Sequence, residues 1–93
     1  MTEEIVQALK DAKGADVKVY DVQGKSSLTD TFIVATGAAA PHLKALAKAL
    51  PKGAFRTSGD PESGWIVVDY VDVVVHVFSP EARAYYALER LWV

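Results

Sequence analysis

The sequence predicts a single α/β domain spanning residues 1–93, a mixed sheet of about five strands with three main helices. Three observations lead there. Helical spacing of apolar residues occurs in three separate stretches. Two runs, Trp65–Tyr70 and Val73–Phe78, are dense in β-branched and aromatic side chains. The order helix, strand, strand, helix, strands, helix is that of a layered α/β fold. A chain of 93 residues suits one domain, and its 51% hydrophobic and 24% charged content is that of a globular protein rather than a disordered one.

Met1–Ala12 reads as an amphipathic helix, with Thr2 as its cap and Glu3 and Glu4 at its positive end. Ile5, Leu9 and Ala12 repeat at helical spacing. Gly14 is placed to end it in a left-handed conformation. Val17–Val22 alternates as a first strand, Gly24–Ser27 is a polar connection, and Phe32–Ala35 is apolar enough to be a central strand covered on both faces. The second helix starts at Pro41, buries Leu43, Leu46, Ala47 and Leu50, and stops at Pro51. Phe55–Thr57 reads as a brief edge strand, and Ser58–Gly64 as a mobile surface loop. Ser79-Pro80-Glu81 is a helix start, and the last helix carries Tyr85, Leu88 and Trp92 along one stripe, expected to pack on the sheet.

The two strong strands form an antiparallel hairpin, and charge bounds its register. A loop of Tyr70-Val71 would set Asp69 against Asp72, a like-charge pair that sheets disfavour. A three-residue loop instead sets Asp69 against Val73, Val67 against Val75 and Trp65 against Val77, and is the preferred register. Both faces of the hairpin are then apolar. A hairpin with one wet face would alternate; this one carries a surplus of apolar surface, for core or for a partner.

The net charge of −2 argues against a protein that grips nucleic acid mainly through phosphates, since such proteins usually carry a basic surplus. The row Lys44, Lys48 and Lys52 reads as the solvated face of a helix, with RNA contact the minority reading. There are no cysteines, so disulfides and thiolate chemistry are excluded. Glu3 and Glu4 stand where a signal peptide would be cationic, and no apolar run reaches the roughly 18–20 residues of a membrane span. A cytoplasmic protein is expected, without a cofactor.

Catalytic constellations are sparse. His42 and His76 are the only histidines and lack metal-ligand spacing; His76 reads as a hydrogen-bonded core residue and His42 as a surface one. Asp69 and Asp72 bracket a turn, where solvated turn formers are commoner than magnesium ligands. Thr36-Gly37 precedes a helix, yet neither GxxxxGK[ST] nor GxGxxG is present. Ser26, Ser27, Ser58 and Ser63 lie in loops without a nucleophile elbow.

Three ordered segments share one resemblance. Asp30-Thr-Phe-Ile-Val-Ala-Thr-Gly37 with His42, the stretch from Trp65 through Asp69 and Asp72 to Phe78, and Ala82 to Trp92 together resemble the signatures of the ribosomal silencing factor (Iojap) family. The resemblance covers roughly Asp16 to Trp92. It implies a nucleotidyltransferase-like α/β fold, no enzymatic activity, and repression of translation. The implied partner is large-subunit ribosomal protein fourteen at the intersubunit face, where binding blocks joining of the small subunit; homodimers are familiar in the family. A metal-dependent nucleotidyl transferase and a generic protein-interaction module are the alternatives. The transferase Asp-x-Asp pair is missing, because Asp69 and Asp72 have the wrong spacing. Two departures from the family pattern stand out. Val71 replaces the usual turn glycine, which argues against positive φ there, and Ala38-Ala39-Ala40-Pro41 replaces hydroxyl and arginine residues. The expected partner patch is Trp65, Val67 and Asp69, extending to Asp72 and Val75. Tryptophan is a frequent binding anchor, and the aspartates suit a basic ribosomal protein.

Overall fold

The computed structural model describes residues 1–26 and 29–92, without the side chain of Trp92. It contains helices α1 (Thr2–Asp11), α2 (Ala40–Ala49) and α3 (Pro80–Tyr86). The strands are β1 (Ala15–Asp21), β2 (Thr31–Thr36), β3 (Arg56–Asp60), β4 (Trp65–Asp69) and β5 (Val73–Phe78). Short 3-10 turns cover Pro61–Ser63 and Leu88–Trp92. The five strands form one mixed sheet in the order β1-β2-β5-β4-β3, in which β2 and β5 are parallel and the other pairs antiparallel. The fold class and the three helices are those the sequence predicts. Ser27, part of the expected connection Gly24–Ser27, lies outside the described residues.

Helices α1 and α2 cover one sheet face. Ile5, Leu9, Leu43 and Leu46, all fully buried, pack there against Ile33, Ala35, Val75 and Val77. Burying each such leucine or isoleucine is worth about 1.5–3 kcal/mol. The opposite face carries a smaller cluster of Val22, Phe32, Val34, Phe78 and Ala82, with Leu88 from the final 3-10 turn against it. The second layer is short, so it covers less of the sheet than the first.

Several local expectations are corrected. Met1, not Thr2, is the cap residue of α1, without a side-chain cap bond. The left-handed residue after α1 is Lys13 (φ 67°), not Gly14. Lys13 N–H donates to the Lys10 carbonyl and Gly14 N–H to the Leu9 carbonyl at 2.8 Å, a Schellman closure. The segment read as a mobile loop is ordered, because Ser58, Gly59 and Asp60 belong to β3. Gly59 (φ 101°) is what permits this: a Cβ there would stand 2.3 Å from the Trp65 carbonyl oxygen. Beyond it, Asp60 accepts from the Glu62 amide at 2.9 Å and holds the turn into β4.

The hairpin register also differs. Asp69 pairs with Val74, Val67 with His76 and Trp65 with Phe78, one residue away from the expected pairing. The like-charge clash is still avoided, because Asp72 sits in the turn itself. Val71 adopts φ 77°, the conformation its β-branched side chain argues against. The turn is stabilised around it: Tyr70 N–H donates to the Val73 carbonyl at 2.8 Å, Asp72 N–H to the Tyr70 carbonyl at 3.0 Å, and Val71 N–H to Asp69 Oδ1 at 2.7 Å. A one-residue slip sends alternate side chains to the other face. Val73, Val75 and Val77 therefore join the α1–α2 core, and Val74, His76 and Phe78 join Trp65.

The expected C-terminal stripe is broken. Helix α3 ends at Tyr86, where Ala87 takes φ 48° and the chain turns into the 3-10 segment. Leu88 packs inward but Tyr85 is 82% exposed, and the Trp92 side chain lies outside the described residues. The start of α3 is as expected: Ser79 Oγ accepts from the Ala82 amide at 3.1 Å.

Candidate functional site

The β5-β4-β3 part of the second sheet face is the place where apolar strand surface is left partly open. Trp65, Val67, Asp69, Val74 and His76 are all half-buried there; Tyr86 of α3 reaches the Trp65 ring, and Leu88 and Leu91 of the final turn line a shallow cavity with Val74 and His76. Trp65, Val67 and Asp69 are thus brought together on one face, as the sequence suggests. Asp72 is exposed at the hairpin turn beside them. Val75 is not part of this surface: it is fully buried on the opposite face, under α1 and α2, because of the register change. In its place the structure supplies Val74 and His76. Sequence reasoning missed both as residues of this face, and the turn conformation that would have revealed them is one that valine rarely adopts.

Trp65 has two roles in this geometry. Its ring lies 5.2 Å from Phe78 and 4.6 Å from Tyr86, centroid to centroid, so part of it completes the second core. Its indole N–H donates to His76 Nδ1 at 3.0 Å. That bond requires a bare Nδ1 and leaves the His76 proton on Nε2. Burial pushes the His76 pKa from 6.5 down to about 4, so the ring is neutral near pH 7. His76 also stacks near Phe32 (4.6 Å) and Phe78 (5.9 Å), which fits a hydrogen-bonded structural histidine.

Asp69 and Asp72 shape the turn. Asp69 Oδ1 caps the Val71 amide, and the Asp72 carbonyl accepts from Thr29 Oγ1 at 2.8 Å and from the Asp30 and Thr31 amides. These bonds fasten the hairpin tip to the entry of β2. Among the described residues, no three His, Cys, Asp or Glu side chains are grouped to hold a metal ion. Arg56 lies opposite Asp69 in the β3–β4 register and adds a cation to the rim.

Two other candidates resolve into structural parts. Thr36 is buried, and its Oγ1 accepts from Arg83 Nη1 at 2.7 Å. A Cβ on Gly37 would meet Leu43 Cδ2 at 2.8 Å, so this glycine lets α2 pack close to the end of β2 rather than cradling a phosphate. His42 is half-buried rather than a free surface residue. Its Nδ1 accepts from the Ala38 amide at 3.0 Å and its Nε2 lies 2.8 Å from the Ala12 carbonyl, so it ties the start of α2 to the end of α1. Arg83 is held by Glu89 (Nε to Oε1, 2.7 Å), and Tyr20 O–H donates to the other Glu89 oxygen. The Arg83 hydrogen bonds hold the Glu89 pKa below the usual carboxylate range, and the Glu89 bond raises that of Tyr20. This clasp fixes the final turn over the second core.

Comparison with known proteins agrees with this architecture. The family model described as "Ribosomal silencing factor during starvation" matches residues 1–93. The ribosomal silencing factor RsfS of Haemophilus influenzae is 37% identical over 99% of this chain and 97% of its own. That of Chromobacterium violaceum is 40% identical, over 94% of this chain and 77% of its own. A mouse protein named for mitochondrial assembly of the ribosomal large subunit is 29% identical, over 95% of this chain but only 43% of its own. A crystal structure of a Chromobacterium violaceum protein superposes with a TM-score of 0.91 at 37% identity, covering 98% of this chain and 82% of that one. A second, from Bacillus halodurans, superposes with a TM-score of 0.84 at 34% identity, covering 98% and 91%. The chain belongs to the ribosomal silencing factor family and is a ribosome-associated regulator of translation.

Proposed function

We propose that this protein represses translation by docking the Trp65 face of its sheet on large-subunit ribosomal protein fourteen, at the intersubunit face, and sterically blocking the small subunit. The observation that supports this reading is the surface of half-buried Trp65, Val67 and Asp69 with exposed Asp72, extended by Val74 and His76. Its apolar strand residues are only partly covered, and its two carboxylates complement a basic partner. The name of the mouse relative points to the same subunit. The repressor acts in the bacterial cytoplasm by occupancy rather than by chemistry.

Co-sedimentation with separated subunits tests the docking: the protein pellets with the large subunit and not the small one. Equal pelleting with both, or with neither, refutes it. Trp65→Ala weakens large-subunit binding by about 2 kcal/mol or more if Trp65 is a binding anchor. A truncation that acts only through the core instead lowers stability, by roughly 3–5 kcal/mol. Subunit affinity and thermal unfolding measured on the same variant separate the two. Loss of stability with unchanged affinity of the folded fraction removes Trp65 from the interface.

A further inference from the structure

We propose that the corner formed by α2 and β3 grips the phosphate backbone of ribosomal RNA, as an auxiliary contact beside the protein-docking face. The inference rests on large-subunit docking and names a second partner for it. Charge distribution is its first support. Residues 31–59 contain Lys44, Lys48, Lys52 and Arg56 and not one Asp or Glu. In a chain of ten Lys/Arg and twelve Asp/Glu, this stretch holds four cations, leaving six cations and all twelve acids elsewhere. A chain that is acidic overall thus keeps one segment purely basic.

Geometry is the second support. Lys44 and Lys48 lie one helical turn apart on α2 and line a groove of about 260 Å³, whose other wall includes Thr57, Ser58 and Gly59 of β3. Two ammonium groups beside the Thr57 hydroxyl are donors of the kind that hold phosphate oxygens. Among the described residues the only ion pairs are Met1 with Glu4 and Arg83 with Glu89, so Lys44, Lys48 and Lys52 are held in none; Arg56 has Asp69 across the strand pair.

The third support is Phe55, which is 67% exposed, with the Arg56 guanidinium 5.6 Å from its ring centroid. An exposed ring beside a cation is a platform on which an unpaired base stacks, and base–aromatic stacking is insensitive to sequence. An acidic protein would use the lysines but has no need of such a platform. Strand β3 is at the sheet edge, and Arg56 lies opposite Asp69, so this corner borders the docking face. One surface can therefore meet protein while the adjoining edge meets RNA.

The test compares the wild-type chain, K44Q/K48Q/K52Q and the control K10Q/K25Q for binding to isolated large subunits over a series of salt concentrations. All the substituted lysines are exposed, and thermal unfolding verifies that the variants fold. The triple variant binds at least tenfold more weakly at low salt, and its log–log salt slope is shallower by about two, as expected for losing three phosphate contacts on single-stranded RNA. The control keeps the wild-type slope. Ultraviolet irradiation of the wild-type complex followed by trypsin yields a nucleotide adduct on the Gly53–Arg56 peptide. A triple variant with wild-type affinity and slope overturns the RNA contact while leaving large-subunit docking intact. A changed slope without that adduct assigns the segment to an acidic protein and overturns it as well. Failure of the wild-type chain to bind large subunits removes the docking reading and this inference together.

Discussion

His76 shows how one side chain links packing to solution behaviour. Its ring is enclosed by Trp65, Phe32 and Phe78, and its Nδ1 is committed to the Trp65 N–H. Burial holds its pKa at about 4 against 6.5 in an exposed histidine. The unfolded chain therefore binds more protons than the folded one between those values, and stability is lost as pH falls through that window. The loss between pH 7 and pH 5 from this group is about 2 kcal/mol. His76→Phe preserves an aromatic ring but removes the titration. Its stability is flatter over that range, although it is lower at pH 7 because the indole N–H has lost its acceptor. Denaturant unfolding at several pH values checks this; equal pH dependence in variant and parent would show that another group carries it. Glu89, whose pKa is depressed chiefly by its Arg83 hydrogen bonds, contributes stability above its unfolded pKa that is lost at more acid pH in both proteins.

At the scale of the element, the β4–β5 hairpin concentrates strain at one position. Val71 holds φ 77° in a turn braced by Asp69 and by the Tyr70–Val73 bond. A non-glycine residue in this region costs about 1–3 kcal/mol, while glycine adds backbone entropy to the unfolded chain worth roughly 0.5–1 kcal/mol. The first effect is larger, so Val71→Gly stabilises the protein by about 1 kcal/mol, seen as a rise in Tm of roughly 4–8 °C. An unchanged or lower Tm would show that the turn is relaxed. The exposed valine side chain contributes little to the core, being 53% accessible. The same turn sets which face each β5 side chain occupies, so Val71 determines the composition of the candidate interface without belonging to it.

For the whole molecule, much of the architecture was legible: the α/β class, the three helices, the Ser79 cap and the pairing of Trp65–Asp69 with Val73–Phe78 all follow from periodicity and turn chemistry. The losses were local and have physical causes. Val71 in a positive-φ turn shifted the register, so Val75 went to the α1–α2 core while Val74 and His76 went to the half-buried opposite face. Gly59 let an apparently polar loop pair as β3. The tertiary bond of Arg83 to Glu89, six residues along, stabilised a kink that helical periodicity cannot register. Of the expected patch, Trp65, Val67, Asp69 and Asp72 do lie together. The open face also bears on assembly: a homodimer that uses it would compete with ribosome docking. Light scattering across a concentration series is expected to show a dimer that is lost when Val67 is replaced by Lys. A strictly monomeric mass at high concentration removes the dimer.

The β2–β5 pair has a further consequence, for the order in which the chain gains structure. Strands β1 and β2 are antiparallel neighbours in sequence, and β3, β4 and β5 form a second run of antiparallel neighbours. Only the parallel seam from Thr31↔Val73 to Thr36↔Phe78 joins them. Each half can begin locally, but the seam must close a long loop containing α2 before its hydrogen bonds form. Neither half covers its own apolar face, because the α1–α2 core draws residues from both sides of the seam. Closing this seam is therefore the most non-local step in forming the sheet, and a chain in which it is open presents two unpaired, strongly apolar strand edges to its surroundings.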